Sequence, residues 1–244
     1  TGVGFFTNFF DTLGIGSFAP TTALFRLMRM VDDRLIPGTL NVGHAVPTIA
    51  QALIYTSLIE VDKVTLVSMI AASTLGAWLG AGIVARWPKG KIQTGIGIAL
   101  LVAASLMSLS QLQLFPGGGA ELGVRGVRLA IAVSVNFMLG ALMTLGIGLY
   151  APCMILVSLL GMSPTAAFPI MMGSCAFLMP VGGLRFVREG SYDSRTSVGL
   201  TLGGIPGVLL AAYFVVSMSL YAVRWLVIAV VIYTSIQMLW QRPK

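Results

Sequence analysis

The sequence predicts an all-α integral membrane protein made of two inverted repeats, each a broken or re-entrant helical segment followed by three transmembrane helices. Three observations lead there. The chain is 57% hydrophobic and only 9% charged, with a mean hydropathy of +0.93, against roughly 25% charged residues in an average soluble domain. The octapeptide LGIGSFAP at Leu13–Pro20 recurs as LGIGLYAP at Leu145–Pro152, six of eight positions identical and 132 residues away. The cations of the loops fall unequally on two sides only when each repeated segment is drawn as a hairpin.

Apolar runs of about 20 residues, enough to cross a hydrocarbon core of ~30 Å, are expected to span at Ile36–Leu58, Val64–Ala85, Ile92–Leu112, Ala167–Val187, Ser197–Val216 and Tyr221–Trp240. Two longer segments, Gly2–Met30 and Leu129–Leu160, contain the octapeptide. A Gly-x-Gly followed four residues on by Pro cannot continue as regular helix, because Gly costs helix stability and Pro lacks a donor and clashes with the preceding turn. Each half therefore carries a broken helix. The repeat extends at the same offset through Phe5 and Phe137, Thr12 and Thr144, Pro20 and Pro152, and Pro37 and Pro169. It divides the chain into a first membrane repeat at 1–115, a linker at 116–128 around Phe115–Gly119, and a second repeat at 129–244. Apolar runs continue toward the C-terminus, so the first segment is a poor cleaved signal peptide. Thr1 is not an initiating methionine, and further residues can precede it.

The loop charges choose the topology. If all eight segments cross, Arg26, Arg29, Arg34, Arg86, Lys89, Lys91 and Arg224 stand against Lys63, Arg125, Arg128, Arg185, Arg188, Arg195, Arg242 and Lys244, seven cations to eight. If each broken segment returns to its starting side, each half crosses three times and the halves are inverted. One side then gathers Arg26, Arg29, Arg34, Arg86, Lys89, Lys91, Arg185, Arg188, Arg195, Arg242 and Lys244, eleven cations to four. The positive-inside rule favours the second arrangement and puts the eleven in the cytoplasm. Half-helices of ~11 residues reach roughly 16 Å, the bilayer midplane, where the breaks are expected to meet. A through-going kinked first helix, with parity changed near Pro37 and Pro47, is the competing topology. The net charge of +7 reads as topology information before nucleic-acid affinity, and no nucleic-acid partner is expected.

In hydrocarbon, freed backbone is tolerated only where it is buried in protein or lines a watery cavity, and paired interruptions in two halves point to a transporter's binding site. A half-helix starting near Gly16 or Gly148 offers unpaired N–H groups and a positive dipole end to a small anion. Around it the expected substrate-binding residues are Asn8, Thr12, Gly14, Gly16, Ser17, Thr21, Asn41, His44, Asn136, Thr144, Gly146, Gly148 and Cys153. Thr22 adds a hydroxyl on the first half; Leu149 and Tyr150 on the second are expected to contribute backbone and shape more than side-chain hydrogen bonds. Asn8 and Asn136 can each bond a substrate oxygen or a freed carbonyl.

Asp11 stands apart from the loop clusters, three residues before Gly14, with Met143 as its counterpart. Intramembrane carboxylates are costly and usually functional. Asp11 and His44, the sole histidine, are the two candidates for proton coupling; the competing readings are a carboxylate that caps the broken backbone and an imidazole held in packing. Cys153 follows the repeated proline and Cys175 aligns with Gly43; both lie in apolar segments without CxxC or His-rich spacing, so zinc, iron–sulfur and disulfide frameworks are not expected. No metal and no cofactor is expected.

With Gly4-Phe5, the glycine-rich break and Pro20, repeated as Asn136-Phe137, Gly146-Ile147-Gly148 and Pro152, the whole chain resembles the sulfite exporter TauE/SafE family, also called the toluene sulfonate uptake permease family. Members commonly show a fuller Gly-x-Gly-Gly-Gly run, whereas Asp11, Thr12 and Leu13 stand here. The resemblance implies a permease of the bacterial-type cytoplasmic (inner) membrane for sulfur-containing oxyanions such as sulfite, sulfoacetate or other organosulfonates.

The expectation is thus a secondary transporter of a small sulfur-containing oxyanion, coupled to protons, and not an enzyme. The chain holds no Gly-x-x-x-x-Gly-Lys-Ser/Thr signature, so a gradient or a partner must supply the energy. Two alternatives stay open: a passive anion channel, and an intramembrane sulfur-handling enzyme or assembly factor using Cys153 or Cys175. The expected partners are the substrate anion and the lipid bilayer, with a homodimer left open as the oligomeric form.

Overall fold

The computed structural model describes residues 1–114, 118–146 and 148–214, and beyond them 225, 228–229, 232–233, 235–236 and 239–240. Ile147 and most of the expected Tyr221–Trp240 span, with Arg224, Arg242, Lys244 and the linker residues Phe115, Pro116 and Gly117, lie outside the described residues. Among the described residues, ten α-helices follow one another: α1 (Gly2–Thr12), α2 (Phe18–Leu27), α3 (Ile36–Gly43), α4 (Ala45–Leu58), α5 (Lys63–Val84), α6 (Lys89–Gln111), α7 (Gly126–Met143), α8 (Tyr150–Leu159), α9 (Ala167–Arg188, preceded by a 3₁₀ turn at Pro164–Ala166) and α10 (Ser194–Phe214). Among the described residues, four helical runs, Lys63–Val84, Gly126–Met143, Pro164–Arg188 and Ser194–Tyr213, are long and apolar enough to cross a membrane. The chain is an all-α, multi-pass membrane protein.

Both repeated segments break where the glycines fall. Gly14, Gly16 and Gly146 have φ of +85°, +89° and +94°, in the left-handed region that a side chain disfavours. At the end of α1 the Gly14 N–H donates to Asp11 O and the Ile15 N–H to Phe10 O, the Schellman closure that turns a helix off at a left-handed residue. The helices that resume, α2 and α8, are ten residues each and 132 positions apart at both ends. Their far ends use the same closure. Gly161 takes the left-handed position after α8 with φ +83°, whereas Arg29 takes it after α2 with φ +51°.

The structure differs from the expected spans in two places. Ile36–Leu58 is not one helix but breaks at His44, between α3 and α4. Pro47 has no N–H for the carbonyl of Gly43, and the Thr201 hydroxyl of α10 donates to that carbonyl instead, at 2.9 Å. In the second broken segment α7 runs for 18 residues where a half-helix of ~11 is expected; Gly76, Gly80 and Gly140 let it lie along α5 for nearly its whole length.

Each repeat packs its first helix on the other repeat. Along α1 and α10, a side chain at Gly4 would strike the backbone of Leu200, and one at Gly203 or Gly207 the backbone of Thr1 or Phe5. Along α5 and α7, Gly76 faces the backbone of Phe137 and Gly140 that of Ser73. Small residues at such crossings let backbones approach where hydrophobic burial alone gives no preference over lipid. Between these pairs runs α9, the most deeply buried of the four long helices. It packs on α3 and α4, with Phe186 against Gly38, Gly182 over Asn41 and Met179 beside Thr48.

Loop contacts define two ends of the bundle. At one, Asp62 at the start of α5 pairs with Arg125 at the start of α7, while Met162 and Ser163 just past α8 bond to Gly119 and Glu121. Both open ends of the α7–α8 pair therefore lie there. At the other, Arg86 pairs with Glu189, Ser191 Oγ donates to Ala85 O, and the Asp193 N–H donates to Thr39 Oγ1. Arg26 at the end of α2 pairs with Asp33, and Gln93 near the start of α6 donates to Asp33 as well. Thr1 lies beside Gly199, in the second turn of α10, so the open ends of α1–α2 face this second end.

Candidate functional site

A buried polar cluster joins the last turn of α1 to the starts of α2 and α8 and to one face of α4. Asp11 is 1% exposed. Gln51 Nε2 donates to Asp11 Oδ2 at 2.9 Å and to Thr12 Oγ1 at 3.0 Å. The Tyr150 hydroxyl, at the first residue of α8, lies 3.3 Å from Asp11 Oδ2 and 3.2 Å from Gln51 Oε1. Ser17, the residue that starts α2, turns its N–H and hydroxyl toward Asp11. Tyr55 Oη donates to the Thr12 carbonyl at 2.6 Å, and its ring stacks on Phe168, centroids 5.3 Å apart. Phe168 in turn lies over Gly14, 3.6 Å from where a Cβ would stand. The carboxyl of Asp11 thus faces the start of α2, the half-helix that its own helix precedes, and neutral groups from both repeats surround it.

A second chain of bonds braces the first broken segment. His44 Nδ1 is 3.1 Å from Asn8 Oδ1, and His44 Nε2 is 3.1 Å from Thr21 Oγ1. Asn8 Nδ2 donates to Gly4 O, which fixes its amide and leaves Oδ1 as acceptor. Nδ1 of His44 therefore carries the ring hydrogen, and Thr21 donates to Nε2. Both ring nitrogens are committed, one to α1 and one to α2.

Of the residues expected to bind substrate, Asn8, Thr12, Ser17, Thr21 and His44 come together with Asp11, and Gly14 borders them. The others lie elsewhere. Asn41 Nδ2 donates to Pro37 O, and its Oδ1 faces Gly182 of α9 without a partner. Asn136 Nδ2 donates to Met69 O at 2.7 Å and to Ser174 Oγ at 3.1 Å, so it serves packing between α7, α5 and α9. Thr144 Oγ1 closes back on Ala141 O. Gly16 and Gly148 have open space where a Cβ would go, as does Gly146. Cys153 is fully buried on α8, and Cys175 donates to Met143 Sδ at 3.6 Å.

The two glycine loops do not meet tip to tip. Gly14 packs on Phe168 at the start of α9, whereas Leu145 packs on the cluster that Ala81, Val84 and Ala85 form with Phe186 near its end; Phe168 and Phe186 are about 27 Å apart along α9 at 1.5 Å per residue. The broken segments reach past each other, and side chains, Asp11 of one and Tyr150 of the other, bridge them. The second half thus contributes a side-chain hydroxyl where backbone and shape alone were expected. Gln51 and Tyr55 escaped the sequence reading. Their signal is spacing: His44, Thr48, Gln51 and Tyr55 recur at i, i+4, i+7 and i+11, one polar stripe along α4 and the residue before it.

Comparison of the chain with protein-family models, curated proteins and solved structures finds no match.

Proposed function

We propose that this chain is a proton-coupled secondary transporter of a small oxyanion, with the substrate held where Asp11 now sits. The observation that carries the reading is the donor ring. Gln51 Nε2 donates to the Asp11 carboxyl, the Tyr150 hydroxyl lies within hydrogen-bonding distance of it and Ser17 faces it from the start of α2; a sulfonate or sulfite, with three oxygens to the carboxylate's two, offers anionic oxygen to the same groups. The ring is neutral and is set at the positive end of α2, which suits an anion that must later be released. Its members come from both repeats, as a site served by alternating access requires.

The architecture proposed with it is a pair of inverted repeats. Supporting this, the ends of α1–α2 face the Arg86–Glu189 end of the bundle and those of α7–α8 face the Asp62–Arg125 end. The first of these ends carries Arg26, Arg29, Arg34, Arg86, Lys91, Arg185, Arg188 and Arg195, which is the cytoplasmic face of an inner membrane by the positive-inside rule. The resemblance to the sulfite exporter TauE/SafE family points to sulfite, sulfoacetate or another organosulfonate as substrate. Asp11 is the proposed proton carrier, since His44 has both nitrogens engaged in bracing.

The test is counterflow in liposomes with the purified protein. Labelled sulfite or sulfoacetate outside should accumulate transiently when unlabelled substrate is inside, and an acid exterior should drive net uptake. Flux without trans-stimulation would make it a channel. Absence of exchange with sulfite, sulfate, thiosulfate, sulfoacetate and taurine would overturn the reading.

A further inference from the structure

Asp11 occupies the donors that an external oxyanion would need. Gln51 Nε2 divides its two hydrogens between Asp11 Oδ2 and Thr12 Oγ1, and Ser17 faces Asp11 with both its N–H and its hydroxyl. Tyr150 has one hydrogen, and two acceptors claim it, Asp11 Oδ2 and Gln51 Oε1. With Asp11 ionised, one of those contacts sets lone pair against lone pair. With a proton on Oδ2, Asp11 donates to the Tyr150 oxygen, Tyr150 donates to Gln51 Oε1, and every contact has its hydrogen. The cluster has room for one proton.

Among the described residues, no Lys or Arg bonds or pairs with Asp11. The titratable groups that face it are Tyr55 of α4, Tyr150 of α8 and Cys175 of α9, with Cys153 beyond Cys175 and His44 bonded to Asn8 and Thr21 instead. All but His44 are uncharged acids that can only add negative charge. A bound oxyanion within hydrogen-bonding distance of the same donors would lie a few ångströms from the Asp11 carboxylate, and like charges at that separation in a sealed interior repel strongly.

We propose that the Asp11 side chain is a tethered competitor of the substrate: its carboxylate holds the Ser17, Gln51 and Tyr150 donors, and gives them to an oxyanion only on taking up one proton. The transported unit is then one anion with one proton, fixed by the chain's own residues. This rests on the anion-carrier reading and adds the stoichiometry and the exclusion. The proton comes from the medium and returns to it on release, and no covalent bond to substrate forms.

The experiment is equilibrium binding of methanesulfonate to the purified full chain, a probe whose charge is constant across the pH range used. Wild type should lose affinity about tenfold per pH unit on the alkaline limb, the slope of one linked proton. Asp11→Asn should bind at least as tightly as wild type does in acid, with no pH dependence. Tyr150→Phe, which keeps the carboxylate and removes one donor, should bind more weakly while retaining the pH slope. A pH-independent wild type, or an Asp11→Asn variant that binds more weakly than acidified wild type, would overturn the competitor and leave the carrier standing. No binding of methanesulfonate by folded wild type or Asp11→Asn at any pH would overturn both.

Discussion

Arg86 and Glu189, 103 residues apart, are joined by an ion pair of 2.7 Å. The guanidinium beside it holds the Glu189 carboxyl below its ordinary range, and the pair fixes the loop after α5 and the loop after α9 at one end of the bundle. Single cysteines at Lys91 and Arg188, in a background without Cys153 and Cys175, should both resist an impermeant maleimide in intact cells. A cysteine at Lys63, on the Asp62 end, should react. Reaction at one of the first two positions and not the other would end the inverted arrangement.

His44 should prove a brace and not the proton carrier. His44→Ala leaves Asn8 Oδ1 and the Thr21 hydroxyl without their partner in a sealed interior, a loss of about 1–3 kcal/mol, read as a lower melting temperature in detergent. His44→Gln should recover part of that stability and still support accumulation driven by a pH gradient. Normal melting together with lost coupling in His44→Gln would transfer the proton role to the imidazole.

The division between these roles was only half legible in the sequence. The duplication, the breaks and Asp11 were visible because Gly, Pro and an isolated carboxylate are each expensive inside a membrane. The break at His44 was not, since Pro47 in a span can be either a kink or an interruption. The decision belongs to Thr201, about 150 residues away, which satisfies the carbonyl that Pro47 leaves free. Asn136 looked equivalent to Asn8 as a polar residue in a broken segment, yet it bonds Met69 and Ser174. At the constant offset its counterpart is Gly4 and that of Asn8 is Gly140, so duplication gave the two asparagines no common environment.

Acid should loosen the Asp62–Arg125 end. The guanidinium of Arg125 and the N–H of Thr65 hold the Asp62 carboxyl well below the usual carboxylate range. A carboxyl so depressed adds stability above the unfolded aspartate value of ~3.9, and this is lost as the pH falls toward the folded value. Wild type should therefore melt above Arg125→Ala by a constant margin from neutral pH down to about pH 5, and the margin should close below about pH 4. A margin that is unchanged in acid would mean Arg125 acts through packing and not through Asp62.

Glycines with different surroundings should fail differently. A side chain at Gly140 would meet the backbone of Ser73, so Gly140→Val should drive α5 and α7 apart and remove folded protein from the membrane. Gly148 has open space and no left-handed φ; Gly148→Val should cost under about 1 kcal/mol and leave the chain folded. Fluorescence size-exclusion chromatography separates the two, and equal loss of folded protein in both would contradict the packing described.

The crossed pairing of α1 with α10 and of α5 with α7 bears on biogenesis. α1 leaves the ribosome well before the groove that receives it, lined by Gly203 and Gly207, has been made. Until then its glycine face has lipid or a chaperone for company. α7, by contrast, finds α5 already in place. The second half can dock on the first as it emerges, while the first is completed only after the second exists, so insertion and closure of this bundle are events separated by the synthesis of everything between α1 and α10.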